Sequence, residues 1–192
     1  RHNGALKIMS DQQKKFINIC VWCAVVLFSV RCILSWESVL NGVSAYDLFG
    51  YAGEAIGIAV LLAGIYEKFL WRINPFESTP KLSKRYTGTF KSSYDLAVRS
   101  ASLEIRQTLL SVHVTLISDE SKSKSLSASI DEILGEIQLT CCYLNTPKSE
   151  FRDRSEIHYG TATLSISNPK EIDGQYYTDR KTTGDMHFIA TS

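Results

Sequence analysis

The sequence has no strong charge bias: 21 lysines and arginines stand against 20 aspartates and glutamates, a formal net charge of +1. This excludes a bulk electrostatic argument for polymeric nucleic acid as a partner. It lacks an H-E-x-x-H, a G-x-S-x-G and a P-loop, and His2, His113, His158 and His187 keep no metal-ligand spacing with cysteines or carboxylates. Neither catalysis nor a metal or cofactor is therefore expected. Cysteine is sparse and odd in number, five in all, which implies no disulfide framework. Cys20-x-x-Cys23 has the spacing of a redox motif but sits in an apolar run with no βαβ context, and no βαβ unit is visible anywhere in the chain.

Long apolar runs are also missing from most of the chain, and where they do occur they are concentrated. Phe16 to Leu34 and Leu48 to Tyr66 each carry one charge over about nineteen residues, enough to cross roughly 30 Å of hydrocarbon. No small-x-small cleavage site follows the first run, since "SWESVLNG" comes next. The expectation is an uncleaved transmembrane hairpin over residues 16–72, preceded by a tail, residues 1–15, whose first eight residues read as an appended stretch. Lys7, Lys14 and Lys15 lie before the first run and Lys68, Arg72, Lys81, Lys84 and Arg85 after the second, whereas Glu37 to Asp47 contains no Lys or Arg. The positive-inside rule then puts both ends in the cytoplasm.

Each run holds one charge, Arg31 in the first and Glu54 in the second. Antiparallel helices bring them to similar depth, where pairing lowers a cost of about 3 kcal/mol for a lone charge in mid-membrane. Gly53-x-x-x-Gly57, with Gly50 and Gly64 at helical spacing, forms a smooth strip. Two readings follow: the strip and ion pair hold the two helices of one chain together, or they also join protomers on activation.

Pro75 and Pro80 mark a linker, residues 73–83, after which the hydrophobic period changes to two. Tyr86, Gly88, Phe90, Ser92 and Tyr94 share one strand face; "SLEIRQTLLSVHVTLI" slips phase near Leu109, which reads as a bulge bending one long strand. Strands are expected at 126–130, 137–144, 157–166, 172–178 and 185–190, with "SDESKSKSLSAS" as an exposed hairpin tip. Counting the bent strand as two gives about eight, an antiparallel up-and-down barrel over residues 84–192 of lipocalin-like meander. Its interior would include Tyr94, Gln107, Tyr143, His158, Tyr176 and Thr178, with Gly160, Ala162 and Gly174 leaving room. A ligand cavity with stacking aromatics and a packed core both satisfy that pattern. One barrel end gathers Lys122, Lys124, Lys148, Arg152, Arg154, Arg180 and Lys181, and the other Asp95, Asp131, Glu132, Glu136, Glu171 and Asp173. The basic end suits an anion; it is also expected to receive the linker, in which case its bases suit membrane headgroups equally well.

Two transmembrane helices, a proline linker and a barrel containing "IRQTLLSVHVTL", "HYGTATLSI" and "DGQYYTDRKTTGDM" resemble the two-transmembrane β-barrel effectors of bacterial cyclic-oligonucleotide antiphage signalling (CBASS). The resemblance spans about Phe16 to Ala190. It implies an inner-membrane protein whose cytoplasmic barrel senses a cyclic dinucleotide made by a partner nucleotidyltransferase, oligomerises, and disrupts the membrane of an infected cell. Carried onto the matching motifs, Gln107, Thr108, His158, Tyr176, Thr178 and Arg180 become ligand contacts, with Arg180 pairing a phosphate; Tyr94 and Tyr143 come from the interior assignment alone. The competing expectations are a tethered barrel that binds a lipid or small hydrophobe, and a membrane scaffold with a filled barrel.

Overall fold

The computed structural model describes residues 11–36, 40 and 42–191. Expectations resting on residues 1–10, Lys7 among them, and on residues 37–39 and 41 lie outside the described residues. The chain forms two compact units, divided between Glu77 and Ser78.

The first unit is a pair of helices, α1 (Asp11–Leu34) and α2 (Ala45–Lys68), each long and apolar enough to cross a membrane. Ser44 starts α2: its hydroxyl accepts from the Asp47 backbone N–H, and the Asp47 carboxylate accepts from the Ser44 N–H. This reciprocal cap satisfies two of the amides that a helix start leaves without partners. Where α2 packs against α1, the residues buried on α2 are alanines, Ala55 and Ala59. Large apolar side chains point outward instead, including Ile19, Val26, Ile56, Val60 and Leu61, as a lipid-facing helix requires.

The second unit is a closed antiparallel barrel of eight strands in sequence order: β1 (Arg85–Ser92), β2 (Val98–Gln107), β3 (Val112–Ser118), β4 (Ser121–Ile133), β5 (Glu136–Pro147), β6 (His158–Asn168), β7 (Glu171–Thr178) and β8 (Thr183–Ala190). Alternation sorts the faces. Along β2 and β3, Leu103, Ile105, Val112 and Val114 face in; β8 closes the circuit by pairing Phe188 with Gly88 of β1. Gly88 is required at that contact, because a Cβ there would overlap the His187 carbonyl.

Four expectations are corrected. The phase slip near Leu109 is a hairpin turn, not a bulge: Thr108 N–H donates to the Ser111 carbonyl and the Thr108 and Ser111 hydroxyls bond each other, so the chain reverses there. A register shift occurs instead in β4, between Ser125 and Ser127. "SDESKSKSLSAS" is not a tip but mostly strand β4, with serines in alternating positions facing inward. Tyr94 lies beyond β1, in the β1–β2 turn, and is 74% exposed.

The fourth correction concerns polarity. With eight strands in simple succession, every odd-to-even turn falls at the end opposite the start of β1. The basic loops after β5 and β7 therefore share an end with the β1–β2 and β3–β4 turns, and the linker reaches the other end. Asp95, in the β1–β2 turn, accordingly belongs to the basic end. At the linker end, Leu82 N–H donates to Gln107 Oε1 and Gln107 Nε2 to the Pro80 carbonyl, while Tyr86 Oη donates to the Pro169 carbonyl and accepts from Ser83 N–H. Leu82, Tyr86, Ile105, Leu139, Ile172 and Phe188, each at most 2% exposed, fill the lumen there.

Candidate functional site

The apolar plug leaves the other half of the lumen open. A cavity of about 350 Å³ occupies it, within the roughly 300–1,000 Å³ of small-molecule sites. It opens among the loops opposite the linker end.

Each wall follows from strand parity. The floor is apolar: Leu103, Val114, Leu116, Leu164 and Met186. β4 contributes Ser121, Ser123 and Ser125, because its "SKSKS" alternation sends serines inward and Lys122 and Lys124 outward. β5 contributes Cys141, Tyr143 and Asn145; β6, His158 and Ala162; β7, Tyr176 and Thr178. Two tyrosine rings fit because glycines stand opposite them: a Cβ on Gly160 would overlap the Tyr143 ring, and one on Gly184 the Tyr176 ring. Gly160 thus makes space for a tyrosine rather than directly for a ligand. Phe90 meets Tyr176 edge to face at 6.3 Å between centroids.

Burial sets the chemistry of this wall. It pushes the Tyr143 and Tyr176 phenols above their ordinary range and the Cys141 thiol to about 11, so at neutral pH these groups are uncharged. His158 Nδ1 lies 2.8 Å from the Glu156 carbonyl, which can only accept, so that nitrogen carries the proton. The other ring nitrogen, Nε2, lies 3.3 Å from Asn145 Nδ2. Asn145 Oδ1 is left buried with no partner among the described residues.

Charge is confined to the mouth. Arg99 is held by Asp95 through two contacts, 3.0 and 2.5 Å, and has Glu120 at 3.7 Å. Arg154 bonds the same Glu120 at 2.8 Å and lies over the Phe151 ring. The Arg99 guanidinium holds the Asp95 carboxyl down at about 2, with help from the Ala97 N–H. A depressed carboxyl contributes above its ordinary pKa and loses its effect as pH falls through the folded value, so this pair persists in mild acid. Arg180, by contrast, has a single, neutral partner among the described residues, donating to Ser155 Oγ at 3.1 Å.

Of the eight ligand-contact candidates, Tyr94, Tyr143, His158, Tyr176, Thr178 and Arg180 line this cavity. Gln107 and Thr108 do not: the Gln107 amide is committed to the linker segment and Thr108 to its own turn. Sequence reasoning passed over Arg99, Glu120, Ser123, Ser125 and Asn145, counted Arg154 only among the bases of one barrel end, and put Asp95 at the other. For Arg99 the signal was present, because it precedes Ala101, Leu103 and Ile105 in the same inward register.

The helix candidates separate differently. Arg31 Nε and Glu54 Oε2 are 3.0 Å apart, and Arg31 also donates to Ser35 Oγ and lies 4.5 Å from the centre of the Tyr51 ring. Gly53 and Gly57, like Gly50 and Gly64, have nothing within 4 Å of an added Cβ. The strip is thus not what packs α2 on α1, which alanines do.

Comparison with known proteins bears on the barrel directly. Residues 77–189 match the family described as "Cap15, cyclic dinucleotide receptor domain". The chain belongs to the Cap15 family. It is 31% identical over 185 residues to CD-NTase-associated protein 15 of Staphylococcus schleiferi, covering 93% of this chain and 97% of that protein. Among solved structures, a redesigned β-barrel aligns with 58% of this chain and 92% of its own at a TM-score of 0.42 and 12% identity. Membership of the Cap15 family makes the barrel a cyclic dinucleotide receptor domain in a CBASS-associated protein that carries two apolar helices.

Proposed function

We propose that the cavity is where the cyclic dinucleotide binds, and that occupancy drives the helices of several protomers together and disrupts the bacterial inner membrane, killing an infected cell. One observation carries this reading: a half-open lumen with aromatic side walls and, at its mouth, an arginine with no carboxylate partner among the described residues. Tyr143 and Tyr176 offer faces for bases, a contact worth about 1–3 kcal/mol per base. Arg180 offers a planar fork matched to a phosphate, and Tyr94, His158 and Thr178 complete the polar contacts. Gln107 and Thr108 have no part in it. The ligand comes from a partner nucleotidyltransferase on the cytoplasmic side, so the barrel and both termini lie in the cytoplasm.

Assembly is supported by the open strip of Gly50, Gly53, Gly57 and Gly64, which leaves α2 a surface that another helix can approach closely. The Arg31–Glu54 pair keeps both charges compensated while that happens. An interior with room for a ligand argues against a filled scaffold barrel. The polar, arginine-flanked mouth argues against a lipid or other small hydrophobe as the occupant.

The test uses the full chain in liposomes loaded with a self-quenched dye. Titration with cyclic di-GMP, cyclic di-AMP and cyclic GMP–AMP should give saturable heat for at least one, and dye release with the same midpoint. Saturable heat without release would remove the membrane step; release by a fatty acid but by no cyclic dinucleotide would remove the ligand assignment.

A further inference from the structure

Three arginines line the cavity mouth, yet two are already occupied. Asp95 and Glu120 are the only carboxylates lining the cavity among the described residues, and both are spent on Arg99 and Arg154. The four groups come from separate places: Asp95 from the β1–β2 turn, Arg99 from the start of β2, Glu120 from the β3–β4 turn, Arg154 from the β5–β6 loop. Glu120 is fixed further by its backbone carbonyl, which accepts from Lys148 N–H at 2.9 Å at the start of the same β5–β6 loop. The chain of contacts Asp95–Arg99–Glu120–Arg154 therefore straps three of the four mouth loops together across the opening.

On the reading that an anionic ligand binds in this cavity, we propose that Asp95 and Glu120 are built-in competitors of the ligand phosphates: they occupy Arg99 and Arg154 in the empty receptor, and binding exchanges carboxylate for phosphate. A phosphate can accept the parallel N–H pair that Arg99 gives Asp95 and the single N–H that Arg154 gives Glu120, so the exchange costs neither arginine a hydrogen bond. What changes is the tie between loops. A phosphate on Arg99 releases Asp95 and with it the β1–β2 turn; one on Arg154 releases Glu120 and the β3–β4 turn. Arg180, with no carboxylate to displace, takes the first phosphate, and the strap opens for the second. The strap thus makes the receptor discriminate against anions with one phosphate, which gain Arg180 but leave the carboxylates in place.

The test is affinity in the charge-neutral isosteres. Asp95→Asn keeps the Oδ1 that accepts from Ala97 N–H at 3.1 Å and so keeps the turn; Glu120→Gln is the second, independent variant. Binding of cyclic di-GMP, cyclic di-AMP and cyclic GMP–AMP to the full chain in nanodiscs is measured by calorimetry, with GMP and AMP as single-phosphate probes. Each substitution should tighten the bound cyclic dinucleotide by about two- to fivefold, the scale of an exposed ion pair, and should raise mononucleotide affinity by at least as much. Unchanged or weaker binding in both variants, with wild-type melting behaviour, overturns the inference and makes the carboxylates positioning groups for the arginines. If neither wild type nor variants bind any cyclic dinucleotide, the ligand reading fails and this inference with it.

Discussion

Arg180 and Arg99 are the same residue type in one cavity, but their surroundings give them different tasks. Arg180 makes one hydrogen bond to a hydroxyl, whereas Arg99 is neutralised twice over. Arg180→Ala should therefore weaken cyclic dinucleotide binding about tenfold or more, the loss of a charge-assisted contact of about 1.5–3 kcal/mol, and Arg180→Lys should recover part of it; calorimetry on the full chain reads both. The adjacent cysteines also diverge, because strand parity turns Cys141 into the lumen and Cys142 out. With its thiol raised to about 11 by burial, Cys141 is thiolate in about one part in a thousand at pH 8. Brief alkylation at that pH should mark Cys142 and spare Cys141, as fragment mass spectrometry of their shared peptide can establish; equal labelling would mean that the wall opens.

Elements were legible to different degrees, for physical reasons. The two helices were plain in composition, and most strands in alternation, because each has one face in water and one in an apolar core. β4 was obscured: its inward residues are small and polar, so hydrophobicity gave no contrast, although the serine–lysine alternation of "SKSKS" carried the period. The β2–β3 junction misled because leucines occupy the turn, where Leu109 is buried at 6% exposure and continues an apolar run through a chain reversal. Side-chain networks across loops, such as Arg99 with Asp95 and Glu120, depend on which turns share an end, and one miscounted strand inverts that for the whole meander. On α2 the glycine strip was visible in sequence but its direction was not. Since it faces away from α1, Gly57→Leu should leave the hairpin intact and reduce ligand-induced crosslinking between protomers by several-fold; undiminished crosslinking would assign assembly to another surface.

Across the whole molecule, polar and apolar tasks are segregated along the barrel axis. The half near the linker is solid, laced shut by Gln107, Tyr86 and Leu82; the far half is hollow and carries the charged side chains that line the lumen. The cavity mouth and the point where the linker enters the barrel thus lie at opposite ends of the cylinder.

The solid half has a further consequence for permeability. A lumen stopped by a tyrosine, a phenylalanine and packed aliphatic chains is a cup and offers ions no conduit, whatever its contents. On the proposed membrane step, any current has to run along surfaces made by the helices or their lipids, and its unitary size should be indifferent to residues inside the cup, which can alter only how often it flows.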